Sequence, residues 1–280
     1  MSFILPSHPE VSIITVCLNC RDLVEKTIQS VISQSYPNVQ YIIIDGGSVD
    51  GTLDIIKKYK AHIDVIVSEK DDGLYYAMNK GIGYATGDII YFLNSGDYLY
   101  DINTIEMVCA QFDLFPDSDI VYGDIISFDD TGEQRLSLCR PTPFHVLTRC
   151  GICHQSLFAK RHLFNSFEPF NTKYHVYADY EWLLRSILIN TCRIHYFETP
   201  ITYYRAGGIS QNRPEQYYHE RIEVMDKYSI YFNKRDVITS SPKELIYYMI
   251  VYIYLLFGIL YVSVSNLKRP SILRELQLKS

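Results

Sequence analysis

Asp45 closes an apolar run, YIIIDGGSVDGT over Tyr41–Thr52, and hands it to a turn of Gly, Ser and Asp before Thr52 opens an amphipathic segment. A strand, a tight turn and a helix start in that order suit a nucleotide. The backbone can approach the ligand closely, and a helix N-terminus attracts anions. Alone, the pattern matches many α/β proteins, and its neighbours are what sharpen it. Upstream, VSIITVCLNCRD (Val11 to Asp22) is a buried-type strand ending in polar residues; downstream come SEKDDGLYYAMNKGI (Ser68 to Ile82) and GDIIYFLNSGDYL (Gly87 to Leu99).

This succession resembles the family 2 glycosyltransferases of the GT-A fold over roughly the first 210 residues, with several motifs in register. Glycosyl transfer needs a nucleoside pocket, a means of neutralising the departing diphosphate, and a base for the acceptor hydroxyl. The resemblance implies residues for each. Thr15 and Asn19 end the first strand on the nucleoside side, and Asp45 ends the second, where an Asp accepts from a uracil-type imide N–H. Asp72, in the DDG turn, resembles the second nucleoside-side acid, with its neighbour Asp71 as the alternative. The family's Asp-x-Asp is here Asn94-Ser95-Gly96-Asp97, so Asp97 is the implied ligand of Mg2+ or Mn2+, and Asn94 a neutral position near the ribose or diphosphate. One protein carboxylate suffices when phosphates and waters complete the octahedron.

In the segment Ala178 to Trp182, Asp179 aligns with the family's base; Ala178 replaces the acid that often precedes it, and Glu181 is the alternative. His154 and Gln155, in GICHQSLF, resemble a position facing the donor sugar or the acceptor. YYRAGGIS (Tyr203 to Ser210) looks like the loop that closes over the donor, with Gly207 and Gly208 giving backbone freedom and Arg205 reaching a phosphate. Plainer readings stand beside these: Asp45, Asp97 and Asp179 as turn or capping carboxylates, and His154 as a core histidine.

A single base fits direct displacement with inversion, since double displacement needs a nucleophile on the other face of the sugar. Processive synthases carry Gln-x-x-Arg-Trp, whereas the only Trp here, Trp182, follows Glu181. The resemblance therefore implies a non-processive, inverting enzyme that moves one sugar from a nucleotide-diphosphate sugar, UDP favoured, to a glycan hydroxyl. By analogy the acceptor is lipid-linked, in bacterial surface polysaccharide. The alternative is a catalytically silent nucleotide-sugar-binding scaffold, favoured by Asn94 and Ala178. A nucleotidyltransferase fits poorly, because LNCRDLVEK is not a Gly-rich loop with basic residues for a triphosphate.

The elements that must position these residues alternate. Strands are expected at Val11 to Leu18, Val39 to Ile44, Ile63 to Val67 and Asp88 to Leu93, with helices at Leu23 to Gln34, Thr52 to Tyr59 and Tyr75 to Ala85. That alternation predicts an α/β fold with a mostly parallel, Rossmann-like sheet flanked by helices. Further on, a helix is expected at Asn103 to Phe112, strands at Ile120 to Phe128, Gln134 to Leu138 and Arg193 to Phe197, and helices at Tyr180 to Ile189 and Pro214 to Tyr231. A proline loop falls at Pro141 to Phe144. Residues 1–240 read as the transferase domain, 1–100 its nucleotide half and 101–240 its acceptor half, and 241–280 as an appended hydrophobic helix and basic tail.

The chain has 280 residues, 48% hydrophobic and 14% aromatic with 25 Tyr, which sets it among globular proteins. A net charge of −6 without a basic stripe argues against nucleic acid. Seven cysteines, an odd number, imply a reducing compartment. Cys17-x-x-Cys20 and Cys150-x-x-Cys153 have zinc-like spacing, but strand alternation at Cys17 is expected to keep the first two thiols apart. The start MSFILPSHPE has no signal-peptide pattern. Leu245 to Leu267 carries no charge and includes Tyr at the level of a membrane interface, and Lys268, Arg269, Arg274 and Lys279 follow it. A helix lying in the cytoplasmic leaflet with its basic tail on anionic head groups is expected, giving a cytoplasmic, peripheral protein; a core or oligomer helix is the alternative.

Overall fold

Strand β1 (Val11–Cys17) is buried along its whole length and pairs in parallel with β2 (Val39–Asp45) on one side and β4 (Ile89–Phe92) on the other. β3 (Val65–Ser68) extends the sheet beyond β2, also in parallel. Runs such as SIITV and YIII have no polar alternation because both faces of the sheet are covered. The computed structural model describes residues 5, 8–137, 139, 152–208 and 214–232. The proline loop, Cys150 and the 245–267 segment with its basic tail lie outside the described residues.

Helices α1 (Arg21–Ile32), α2 (Thr52–Lys58) and α3 (Leu74–Tyr84) connect the four parallel strands. Ile14, Val16, Ile42, Ile44 and Phe92 pack on one face of the sheet with Met78 of α3, while Ile13, Ile43 and Tyr91 pack on the other with Val24 and Ile28 of α1. Each such fully buried side chain contributes roughly 1.5–3 kcal/mol. α3 leans on β1 closely enough that a Cβ at Gly81 would collide with the side chain of Ile14.

Beyond β4 the sheet turns mixed. β4 pairs antiparallel with β8 (Leu157–Lys160), β8 antiparallel with β6 (Ile120–Phe128), and β6 parallel with β9 (Ile194–Arg205). Strand β5 (Tyr98–Leu99) joins β9 at that edge, and β7 (Gln134–Ser137) pairs with β6 off the main path. The parallel order foreseen from the sequence thus describes β3, β2, β1 and β4. β9 runs further than expected: Tyr203 and Arg205, read as part of a closing loop, are paired with β6.

The remaining helices are α4 (Thr104–Leu114), α5 (His162–Asn165), α6 (Ala178–Leu188) and α7 (Pro214–Phe232). Glu220 of α7 is buried, and its carboxylate accepts from the main-chain N–H groups of His175, Val176 and Tyr177 at 2.9–3.0 Å. It therefore holds the segment that leads into α6. Glu220→Ala strands those donors, at about 1–3 kcal/mol for each one left unsatisfied. The expected loss is roughly 3 kcal/mol of unfolding free energy in urea, with Glu220→Gln recovering part of it. A change below about 0.5 kcal/mol, the size of a neutral surface substitution, contradicts this role.

Candidate active site

The carboxyl ends of β1, β2 and β4 open on one edge of the sheet, and a cleft of about 1240 Å³ lies there. Its floor is Cys17, Asn19, Gly46 and the turn from Asn94 to Asp97. Asp71 and Tyr75 stand on one side, and His154, Asp179 and Tyr177 on another. This is where an open α/β sheet presents loops and helix starts to a ligand.

The turn after β4 is built from α1. The Thr27 hydroxyl accepts from Gly96 N–H (3.0 Å) and donates to the Asp97 carbonyl (2.7 Å). Gly96 has φ 101°, in the left-handed region that favours glycine. So pinned, Asp97 is almost fully buried; its Oδ1 accepts from Arg205 N–H at 2.8 Å, and Gln155 bonds its carboxyl group. The Arg205 guanidinium turns away to Asp130 at 2.5 Å. Burial pushes the Asp97 carboxyl up to about 7, more than these donors offset. A desolvated carboxylate facing a cleft is the electrostatic signature of a place that suits a cation.

Asn94 points its Nδ2 at His154 Nε2 (3.0 Å), while its Oδ1 is buried without a hydrogen-bond partner. His154 sits in a 3-10 turn, His154–Ser156, just before β8, and its Nδ1 lies 2.7 Å from Asp179 Oδ2. Asp179, in the first turn of α6, also accepts at Oδ1 from the Tyr75 hydroxyl (3.0 Å) and from Tyr180 N–H (2.8 Å). Burial raises the Asp179 pKa, but the His154 bond and charge, the Tyr180 N–H and the Tyr75 hydroxyl outweigh it and hold the carboxyl below its usual value. Asp97, Asn94, His154 and Asp179 thus form one polar wall: a carboxylate suited to a cation, and an imidazole–carboxylate pair suited to moving a proton.

A model of glycosyl transferase family 2 matches residues 12–188, about two thirds of the chain and all of this wall. A PGL/p-HBAD biosynthesis glycosyltransferase of Mycobacterium tuberculosis is 30% identical over 230 residues, covering 79% of this chain and 87% of the relative. The chain belongs to glycosyl transferase family 2. It is a nucleotide-sugar-dependent glycosyltransferase. A putative teichuronic acid biosynthesis glycosyltransferase, TuaG of Bacillus subtilis, is 41% identical over 92 residues, 32% of this chain and 36% of that one. The transferase also shares the GT-A fold of solved structures. TarS of S. aureus in complex with UDP has a TM-score of 0.63 at 18% identity, covering 81% of this chain and 67% of that one. A mannosyltransferase from Pyrobaculum calidifontis, in complex with GDP-Man and Mn2+, has a TM-score of 0.64 at 15% identity, covering 99% and 81%.

Several residues singled out from the sequence lie in the transferase's cleft: Asn19, Asn94, Asp97, His154, Gln155, Asp179 and Arg205. Others do not. Thr15 is buried under the sheet edge against the Tyr41 hydroxyl at 3.1 Å. Asp45 is fully buried, its oxygens taken by Ser48 and by the Ser68 hydroxyl (2.6 Å), so it shapes the turn after β2 from below. Asn19 locks that turn to the end of β1, donating from its N–H to the Ser48 hydroxyl (2.7 Å) and accepting Val49 N–H at Oδ1 (3.0 Å). Of the acidic pair before α3, Asp71 lines the cleft and bonds Lys80, while Asp72 is exposed outside it.

Glu181 is the clearest correction. Residues two apart on a helix point about 200° apart, so with Asp179 on the cleft Glu181 faces the core. There it accepts from Lys227 (2.8 Å) and the Tyr228 hydroxyl (2.5 Å) of α7 and pairs with Arg185. It joins α6 to α7 rather than meeting an acceptor. Gln155 lines the cleft, yet its carbonyl is committed to Tyr91 and Thr202, both at 2.6 Å, and its side chain accepts from Cys153. Sequence reasoning missed Tyr75, whose OH reaches Asp179 across 104 positions, and the wall formed by Tyr177, Tyr217 and Tyr218. An aromatic at the start of the helix after DDG was the only available signal.

The thiols of Cys17 and Cys20 do meet, contrary to the expectation from strand alternation. β1 ends at Cys17, and Asn19, at φ 49°, reverses the chain to bring Cys20 back beside it at the start of α1. Among the described residues no group of three or more His, Cys, Asp or Glu is placed to hold a metal. The bond from Cys17 draws the Cys20 thiol down to about 7 against the effect of burial, while Cys17 is raised. Iodoacetamide at pH 7 is therefore expected to alkylate Cys20 before the other described cysteines, with a rate midpoint near pH 7 and slower labelling when a nucleotide fills the cleft. A midpoint at the ordinary thiol value of about 8.5, read by mass spectrometry, contradicts the thiol pairing.

Proposed function

We propose that the cleft transfers a single sugar, with inversion, from a nucleotide-diphosphate sugar to a hydroxyl of a glycan acceptor. The observation that carries this is the shared wall: Asp97, desolvated and short of a counter-charge, beside an Asp179–His154 pair poised for a proton. In the reading, Asp97 holds Mg2+ or Mn2+, and the orphaned Asn94 Oδ1 bonds the ribose or diphosphate. The cation's chemistry is to neutralise the departing diphosphate as the bond to the sugar breaks. Arg205 orients Asp97 through its N–H, Asn19 and Gly46 line the nucleoside end, and the Asp179–His154 pair removes the acceptor's proton as its oxygen attacks the anomeric carbon.

A UDP-sugar donor is favoured because TarS, of the same fold, was crystallised with UDP and with UDP-GlcNAc; the mannosyltransferase complex with GDP-Man keeps the guanosine series in the test. The names of the mycobacterial and Bacillus relatives favour a bacterial cell-surface glycan; an acceptor carried on a lipid is part of the same proposal, by analogy. Among the described residues no helix is long and apolar enough to cross a membrane. Peripheral contact through 245–267, and a division at about residue 100 into nucleotide and acceptor halves, belong to the same proposal.

Purified protein is incubated with UDP-glucose, UDP-N-acetylglucosamine or GDP-mannose and Mn2+, without acceptor. Slow metal-dependent release of free nucleoside diphosphate from one donor is expected. Binding without release from any of them favours the silent scaffold.

A further inference from the structure

The polar wall that runs from Asn94 through His154 to Asp179 continues into three tyrosines of the same cleft. Tyr177 stands two positions before Asp179, and its ring meets that of Tyr217 edge to face, with centroids 5.2 Å apart and planes at 84°. Tyr217 meets Tyr218 in the same way, at 5.6 Å and 80°. Burial falls outward along this chain of rings: Tyr177 is 3% exposed, Tyr217 is half-buried and Tyr218 is 47% exposed. Edge-to-face contact is a favoured arrangement of aromatic rings, so each ring fixes the tilt of the next. The support beneath them is fixed as well. Glu220, on α7 with Tyr217 and Tyr218, accepts from the N–H groups of His175, Val176 and Tyr177, and the Val176 carbonyl accepts from the Tyr75 hydroxyl at 3.0 Å.

A propped ring with an exposed face beside a polar site has a chemical complement. Tyrosine offers an apolar, electron-rich face and a polar edge, and a pyranose offers C–H groups on its face and hydroxyls around its edge. His175 is exposed and lines the same stretch, and an imidazole both donates to and accepts from a hydroxyl. A mostly apolar wall with a few polar groups is the ordinary build of a site that orients a small molecule. Continuity with the wall that carries Asp179 selects the occupant, because a ring laid against these tyrosines has its edge beside the Asp179–His154 pair.

We propose that Tyr218, propped by Tyr217 and Tyr177, stacks on the C–H face of a pyranose ring of the acceptor, so that the transferase selects a sugar-bearing acceptor by its ring as well as by its hydroxyl. The inference deepens the transferase reading above and rests on it.

The test is saturation-transfer NMR on the full chain with UDP or GDP and diamagnetic Mg2+. The probes are methyl β-D-glucopyranoside, methyl β-D-galactopyranoside and methyl α-D-mannopyranoside, with n-hexyl phosphate as a lipid-like control. At least one pyranoside is expected to bind, with saturation concentrated on the C–H protons of one ring face. Tyr218→Ala is expected to raise its Kd about tenfold or more, while Tyr218→Phe, which keeps the ring, stays within about threefold of wild type. Nucleotide Kd, measured by calorimetry in the same samples, stays within about twofold in both variants, which also shows that they fold. Four results overturn the assignment: no pyranoside bound, a Kd unchanged in Tyr218→Ala, a loss as large in Tyr218→Phe as in Tyr218→Ala, or hexyl phosphate binding with the same dependence on Tyr218. A wild-type chain that binds neither nucleotide overturns instead the transferase reading beneath it.

Discussion

Asp179→Asn lowers kcat for donor turnover by about 10³–10⁴ and leaves donor affinity within about twofold of wild type. Asn preserves the shape of the site, since its Oδ1 still accepts from Tyr75 and Tyr180. What changes is the charge: a neutral amide stands where the carboxylate paired with His154, so the group proposed to draw off the acceptor's proton is lost. Because that group matters only as the proton moves, the loss falls on kcat. Steady-state kinetics of nucleoside diphosphate release, with calorimetric titration of the donor, measure the two parameters separately. A variant that retains more than a tenth of wild-type kcat leaves the His154–Asp179 contact as no more than a tie between the turn before β8 and α6.

Asp97→Asn has two effects of opposite sense. It weakens Mn2+-dependent binding of the nucleoside diphosphate roughly 100-fold, about 2–3 kcal/mol, because the one carboxylate offered to the cation is gone. It also stabilises the metal-free protein at pH 8. The folded-state pKa of Asp97 is raised to about 7, above an unfolded value near 3.9, so ionisation disfavours folding. That penalty is absent below about pH 4, grows between pH 4 and 7, and is full above 7, and the neutral amide escapes it. A Tm about 5 °C above wild type at pH 8 without metal is expected, with the difference shrinking toward pH 4. The same protonation makes the wild-type affinity for Mn2+ rise as pH passes upward through about 7. A Tm at pH 8 at or below wild type contradicts the account of Asp97 as a desolvated carboxylate waiting for a cation.

The parallel half of the fold was legible because YIII and IIYF are continuous apolar runs and VSIITV is broken only by Ser12 and Thr15, with no polar alternation, as suits a sheet covered on both faces. β8 and β5 were not, since strands of four and two residues owe their existence to partners far along the chain: Phe158 opposite Tyr91, Tyr98 opposite Tyr203. The same distance in sequence hid the site's wiring. Asp97 and Asp179 were visible as acids at a turn and a helix start, but nothing local shows that Tyr75 bonds Asp179 or that His154 stands between Asp179 and Asn94. Asp45 and Thr15 were placed on the right strands and at the wrong depth: Ser48 and Ser68 close over the Asp45 carboxylate, and Thr15 is buried against the Tyr41 hydroxyl. Glu181 was legible in principle, as helical geometry turns it away from any surface Asp179 shares.

The most direct test of the cleft as a metal-assisted nucleotide-sugar site is a thermal-shift panel of UDP, GDP, UDP-glucose, UDP-N-acetylglucosamine and GDP-mannose, with and without Mn2+, on wild type and Asp97→Asn. A ligand that binds only the native state stabilises it by about 2.7 kcal/mol at a hundred times its Kd. The predicted result is a Mn2+-dependent rise in Tm with one nucleotide series in wild type, lost in Asp97→Asn. No shift with any nucleotide, or a shift equal in both proteins, contradicts the assignment of Asp97 and the donor site built around it.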